Sequence, residues 1–186
     1  MSDVKSEIRA LEMDIYQNYE KLQKLRAQLT PEVVENYAFK TSEGESIHLL
    51  DMFGDFDELI VVHNMGKSCR YCTAWADGFN AVAPLVSQYV GFYLSSPDVP
   101  VVQTEFRESR GWTMPMVSVS ENSFAEAMGF RDSDGDYQPG ISVFVKNAQG
   151  EISRTRTAPL GESDNFGILW HLFDLLAENP IDKAGW

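Results

Sequence analysis

The chain has 186 residues, with 15 Lys plus Arg against 28 Asp plus Glu, for a net charge of -13. That balance disfavours nucleic acid and anionic membrane as partners, because both reward clustered Lys and Arg. The 44% hydrophobic and 23% charged content is that of a globular chain and excludes wholesale disorder, while the longest aliphatic run, residues 59–62, is far too short to span a bilayer.

Residues 1–30 read as a helical arm and residues 31–186 as one domain. Within the arm, Val4, Ile8, Leu11, Ile15, Tyr19, Leu22, Leu25 and Leu29 recur every three or four positions with charges between them, which predicts a helix over 3–29. At 1.5 Å per residue it would be about 40 Å long, and Thr30-Pro31 ends it. Two readings stay open: the arm packs on its own domain, or its apolar stripe forms a homodimer. The start of the chain is acidic and has no apolar core of the secretory kind, so a cytoplasmic location is expected.

The remaining elements follow in order. Residues 37–40 and 46–50 flank Ser42-Glu43-Gly44 as a hairpin. Residues 57–63 form a short apolar strand, buried on both faces. A loop with both cysteines leads into a helix over 70–88, which Pro84 should kink. A strand over 90–95 follows, and Ser96-Pro97-Asp98 opens a helix that ends near Gly111. Residues 116–119 are a short strand. Ser123 to Glu126 match a capping box, with Gly129 closing that helix. Residues 141–146 and 151–157 pair around Asn147-Ala-Gln-Gly150. The last helix runs over 164–177 and should bury Phe166, Leu169, Trp170, Leu172, Phe173 and Leu176.

Cys69 and Cys72 are the only cysteines, and their i, i+3 spacing puts both sulfurs on one face of a helix's first turn. Unpaired N–H groups and the positive helix end favour a thiolate there, and Lys67 and Arg70 add positive charge. Three readings compete. The pair is a redox dithiol in a βαβ setting, or part of a zinc site, or two small hydrophobes with no redox use. Zinc needs four ligands and only His48, His63 and His171 could join the cysteines, so no metal and no cofactor is expected. Asp132-Ser-Asp-Gly-Asp136 hints at calcium, but its Gly is fourth and its twelfth place is Val143, so a solvated turn is the reading.

This order of elements resembles the thioredoxin fold with a peroxiredoxin-style β-α insertion and an N-terminal helical arm, an α/β architecture. Pro139-Gly-Ile-Ser-Val-Phe144 resembles the segment in which thioredoxins place a cis-proline against the CxxC, with Pro115 as a second candidate. At finer grain the chain is similar to the bacterial thioredoxin-like family "domain of unknown function 899". The residues that carry this are His63-Asn-Met-Gly-Lys-Ser-Cys-Arg-Tyr-Cys-Thr-Ala-Trp-Ala-Asp-Gly-Phe-Asn80, Ser95-Ser-Pro97, Arg110-Gly-Trp-Thr-Met-Pro-Met-Val-Ser118, the Pro139 segment and Trp170-His-Leu-Phe-Asp-Leu-Leu176.

The resemblance implies a sheet ordered 115–119, 90–95, 58–63, 141–146, 151–157, with the first three strands parallel and helices on both faces. It implies Cys69 as nucleophile and Cys72 as resolving thiol of a thiol-disulfide oxidoreductase acting on a protein or small-molecule thiol or disulfide. His63 stands six residues before Cys69, where thioredoxins hold a buried Asp, so it is a candidate acid–base group beside Cys72. Asp77 is its candidate partner, or a group that holds water. Pro139, Trp75, Ser68 and Arg70 would shape the substrate groove, although Ser68 replaces the Trp that usually precedes the first cysteine. Two alternatives remain, a non-catalytic binding module and a thiol peroxidase. Peroxiredoxins place a Thr three residues before their reactive Cys, where this chain has Gly66. Pro139-Gly140 stand where those enzymes have an Arg, which could still come from elsewhere, such as Arg70 or Arg110.

Overall fold

The computed structural model describes residues 3–162, 164–178 and 180. Helix α1 (Val4–Arg26) is capped by the Asp3 side chain, which accepts from the Lys5 N–H at 3.3 Å, and it leads to strand β1 (Glu32–Val34). A hairpin of β2 (Ala38–Thr41) and β3 (Ser46–His48) and a short 3-10 turn (Asp51–Phe53) precede β4 (Glu58–His63). Helix α2 (Arg70–Val86), β5 (Gly91–Ser96), α3 (Pro100–Arg110) and β6 (Met116–Ser118) follow. The chain continues through α4 (Phe124–Ala127), β7 (Gly140–Lys146), β8 (Ile152–Pro159) and α5 (Ile168–Phe173).

The eight strands form one sheet in the order β1-β8-β7-β4-β5-β6-β2-β3. Its centre has the expected order, with β4, β5 and β6 parallel and β7 antiparallel to β4. The β6-α4 segment is the insertion. The early hairpin extends the β6 edge, and β1 covers the β8 edge. Alternation along β4 divides its side chains between two cores. Leu59 and Val61 pack with Phe53, Phe124, Met128, Phe130 and Phe144 on one face. Val62 and Ile60 pack on the other with Cys72, Trp75, Ala76 and Phe79 of α2, and with Phe92, Leu94 and Ile141. Each large aliphatic or aromatic side chain buried this way contributes roughly 1.5–3 kcal/mol.

Several local expectations differ in detail. Helix α3 opens at Pro100, not at Ser96-Pro97-Asp98, because the Asp98 carboxylate is turned to the cysteine loop and leaves the helix N-terminus without a side-chain cap. The capping box at Ser123 does not form. Asn122 Oδ1 accepts from the Phe124 N–H at 3.1 Å instead, while its amide donates to the Ala38 carbonyl at 2.7 Å. Helix α2 continues through Pro84, which lies in its last turn.

The final helix is only six residues long, because Asp164 Oδ1 accepts from the N–H groups of Phe166 and Gly167 and holds that stretch as a turn. Of its expected core residues, Trp170 is buried and Leu169 and Phe173 are half-buried, whereas Phe166, Leu172 and Leu176 are exposed. The 132–136 segment is a turn, with Asp132 Oδ1 accepting from the Asp134 and Asp136 N–H groups.

Candidate active site

Strand β4 ends at His63, and the five residues after it form the loop that delivers Cys69 to the start of α2. Two polar side chains shape this loop. Asn64 Oδ1 accepts from the Gly66 N–H at 2.8 Å, and its amide donates to the Cys72 carbonyl at 3.1 Å, tying the loop to the helix. Asp98, from the loop after β5, accepts from the Lys67 N–H at 2.8 Å and from Ser96 Oγ at 3.3 Å. Gly66 adopts φ +98, and a Cβ there would meet the Asp98 carboxylate oxygens at 3.0 and 3.1 Å. The position therefore needs glycine for both backbone and space. Asn64, Ser96 and Asp98 were not among the site residues expected from the sequence, where Ser96 and Asp98 read only as the start of a helix. Ser96 and Asp98 are distant in the chain from the cysteines, and only the β4/β5 pairing brings them to the loop.

Cys69 is the N-cap residue of α2, with extended backbone, and its Sγ accepts from the Cys72 N–H at 3.1 Å. It is half-buried, whereas Cys72 is only 1% exposed and lies in the α2 core. The Cys69 thiol is lowered to about 6 by the donating Cys72 thiol, against the opposing effect of partial burial. The backbone N–H groups of Cys72 and Tyr71 lower it further. Cys72 is pushed the other way, because its proton is held by Cys69 and its sulfur is desolvated. Hydrogen bonds from the first turn, rather than the charges of Lys67 and Arg70, account for the polarisation.

His63 is placed elsewhere. As the last residue of β4 it shares the face of Leu59 and Val61, and its ring stacks on Phe130 at 4.0 Å and Phe124 at 5.5 Å. Its Nε2 pairs with Ser142 Oγ at 2.9 Å. Cys72 packs in the core on the opposite face, so the structure does not bring the two together. The six-residue offset did not reveal this, because facing depends on the pleat of the strand and not on distance along the chain. Burial, with Arg154 as a lesser cause, lowers His63 to about 3 and keeps it neutral.

The groove candidates divide likewise. Ser68 and Arg70 are exposed beside Cys69. Trp75 is a core residue, its ring 5.4 Å from Trp170 and 6.4 Å from Tyr71. Pro139 lies beside the end of β4, since Gly140 pairs with His63. Every peptide bond among the described residues is trans, which corrects the cis-proline expectation for both Pro139 and Pro115. The Pro139 carbonyl accepts from the Leu160 N–H at 3.1 Å, continuing the β7/β8 ladder.

Asp77 does not meet His63. It pairs with the guanidinium of Arg110 and accepts from Trp112 Nε1 at 2.7 Å. One turn on, Asn80 Oδ1 accepts from the N–H groups of Thr113 and Met114 at 2.7 and 3.1 Å. The Trp75-Ala-Asp-Gly-Phe-Asn80 run is thus a clasp between α2 and the 110–114 loop, and Arg110 is committed to it. Lys67, Arg70, Thr73, Asp77 and Arg110 line an open groove of about 330 Å³ on the side of α2. Among the described residues no group of three or more His, Cys, Asp or Glu side chains is placed to hold a metal, and no helix is long and apolar enough to cross a membrane.

Solved structures share this fold at low sequence identity. Peroxidoxin BcpB from Mycobacterium tuberculosis aligns with a TM-score of 0.57 and 19% identity, over 70% of this chain and 84% of its own. A mutant of peroxiredoxin Q from Xanthomonas campestris gives 0.57 and 16%, over 70% and 87%. An uncharacterized conserved protein from Geobacillus kaustophilus gives 0.56 and 14%, over 74% and 72%. No curated protein matches the sequence. The thioredoxin-like fold expected from the sequence is therefore the one the chain adopts, and the match of a single family model to residues 3–179 shows that it belongs to the family described as "Bacterial protein of unknown function (DUF899)".

Proposed function

We propose that the chain is a thiol-disulfide oxidoreductase working through Cys69 and Cys72. The observation that carries this reading is the asymmetry of the pair: Cys69 is half-exposed with its sulfur hydrogen-bonded at a helix N-terminus, and Cys72 is buried one turn behind it. In the first step the Cys69 thiolate attacks one sulfur of a substrate disulfide, forming a mixed disulfide and expelling the other sulfur as a thiolate. In the second, Cys72 loses its proton and attacks Cys69 Sγ. The remaining substrate sulfur leaves as a thiolate, and a Cys69–Cys72 disulfide remains. Two electrons have then passed from the dithiol to the substrate, and an external dithiol must return them. Lys67 and Arg70 at the mouth suit a protein or small-molecule partner of acidic character.

The second reading is a thiol peroxidase, favoured by the fold neighbours, one of which is described by its alkyl peroxide reduction activity. In that case the thiolate attacks a peroxide oxygen, the alcohol or water leaves, and Cys72 displaces water from the resulting sulfenic acid. Gly66 in place of Thr, and Arg110 held by Asp77, count against it.

Redox titration against glutathione, with mass spectrometry of the alkylated chain, tests the proposal. The expected result is a two-electron equilibrium between dithiol and Cys69–Cys72 disulfide, lost in Cys69→Ser. Oxidation by alkyl peroxide much faster than by glutathione disulfide would move the assignment to the peroxidase. A pair inert to both would leave a binding module.

A further inference from the structure

We infer that α1 is one half of an antiparallel two-helix interface with a second copy of this chain. None of its residues is buried: Val4, Ile8, Leu11, Ile15, Leu22 and Leu25 are 38–67% exposed. A 23-residue helix needs a packed face for most of its stability. With Ile8, Ile15 and Leu22 at a and Val4, Leu11, Asn18 and Leu25 at d, the helix carries an unbroken heptad, in which Asn18 is the single polar core position. The helix meets its own domain along another side. Tyr19, Gln23 and Arg26 line the rim of an apolar groove of about 310 Å³ together with Val62, Phe79 and Ile141. The a/d stripe lies next to that side of the helix and is itself exposed.

Charge complementarity selects the occupant and its direction. Acidic residues prevail in the first half of the helix, with Asp3, Glu7, Glu12 and Asp14 against Lys5 and Arg9. The second half is basic, with Lys21, Lys24 and Arg26 against Glu20. A parallel pair would set Glu7 beside Glu12 of the partner subunit and Lys21 beside Arg26 of the partner subunit, like charges on both flanks. An antiparallel pair stacks Leu11 on Leu22 of the partner subunit, Ile8 on Leu25 of the partner subunit and Ile15 on Asn18 of the partner subunit. It places Asp14 beside Lys21 of the partner subunit twice, once on each side of the two-fold axis. Its one like-charged pair, Lys5 with Arg26 of the partner subunit, lies at the ends.

Sedimentation equilibrium of the full chain tests this. The expected mass is twice that of the chain. Asp14→Lys and Lys21→Glu should each weaken the dimer about tenfold, and the double variant should restore it to within about threefold. Both positions are exposed, so far-UV circular dichroism and Cys69 labelling should show the domain unchanged. A monomer throughout the micromolar range, or Asp14→Lys with unaltered association, would overturn the proposal. So would tighter association in Lys21→Glu, the outcome of a parallel pair.

Discussion

Replacing Cys72 with Ala removes the thiol that contributes most to holding Cys69 at about 6, while the backbone N–H donors of the first turn stay in place. The Cys69 midpoint should then move to about 8, short of the free-thiol value of about 8.5. At pH 7 the ionised fraction falls from roughly 90% to roughly 10%. A less acidic thiol is intrinsically the better nucleophile, by about eightfold over this interval for a Brønsted slope of about 0.45. The two effects nearly cancel at neutral pH, so a single rate there is blind to the change. At pH 5 the variant should alkylate about tenfold more slowly than the parent, and at pH 9 about sevenfold faster, the two profiles crossing near pH 7. Iodoacetamide labelling at graded pH, read peptide by peptide by mass spectrometry, measures this directly. Superimposed profiles would refute the hydrogen-bond account of Cys69, and faster labelling of Cys72 than of Cys69 in the parent would reverse the assignment of roles.

Three other perturbations test the surrounding structure. His63 stays neutral in the fold down to about pH 3 but takes up a proton near 6.5 when unfolded. Its stabilising contribution is therefore present above pH 6.5 and lost as pH falls from there towards 3, by at most roughly 5 kcal/mol. Urea denaturation against pH should show this acid limb, and His63→Leu should flatten it. Gly66→Ala forces a Cβ onto the Asp98 carboxylate at φ +98. The expected loss is roughly 1–3 kcal/mol in urea unfolding, with weaker burial of Cys72 seen as faster labelling; an unchanged midpoint would contradict the loop description. Asp77→Ala leaves Trp112 Nε1 and Arg110 without their acceptor and should lower Tm by about 4–8 °C, with Cys69 reactivity unchanged. A large change in Cys69 reactivity would show that the clasp also tunes the cysteine pair.

Much of this molecule is determined locally and was legible in the residues. The apolar run of β4, the periodicity of α1 and α2, and the turn at Asn147 to Gly150 each require only neighbours within a few positions, so pattern alone predicts them. The polarity of the cysteine pair is local too, since a CxxC at a helix start points one sulfur at N–H donors and buries the other. What pattern could not decide was where side chains separated in sequence come to lie. His63 and Cys72 are only nine positions apart, yet the pleat sends the one to Phe130 and the helix packs the other on Val62. Asp77 looked like a partner for a histidine until the 110–114 loop was brought to it from 33 residues away. Asp98 had the look of a helix cap, and only the parallel pairing of β4 with β5 set its carboxylate on the Lys67 N–H. The chain specifies its elements through short-range propensity. The site arises from which polar groups the sheet brings within hydrogen-bonding distance, and that depends on register and facing across the whole domain.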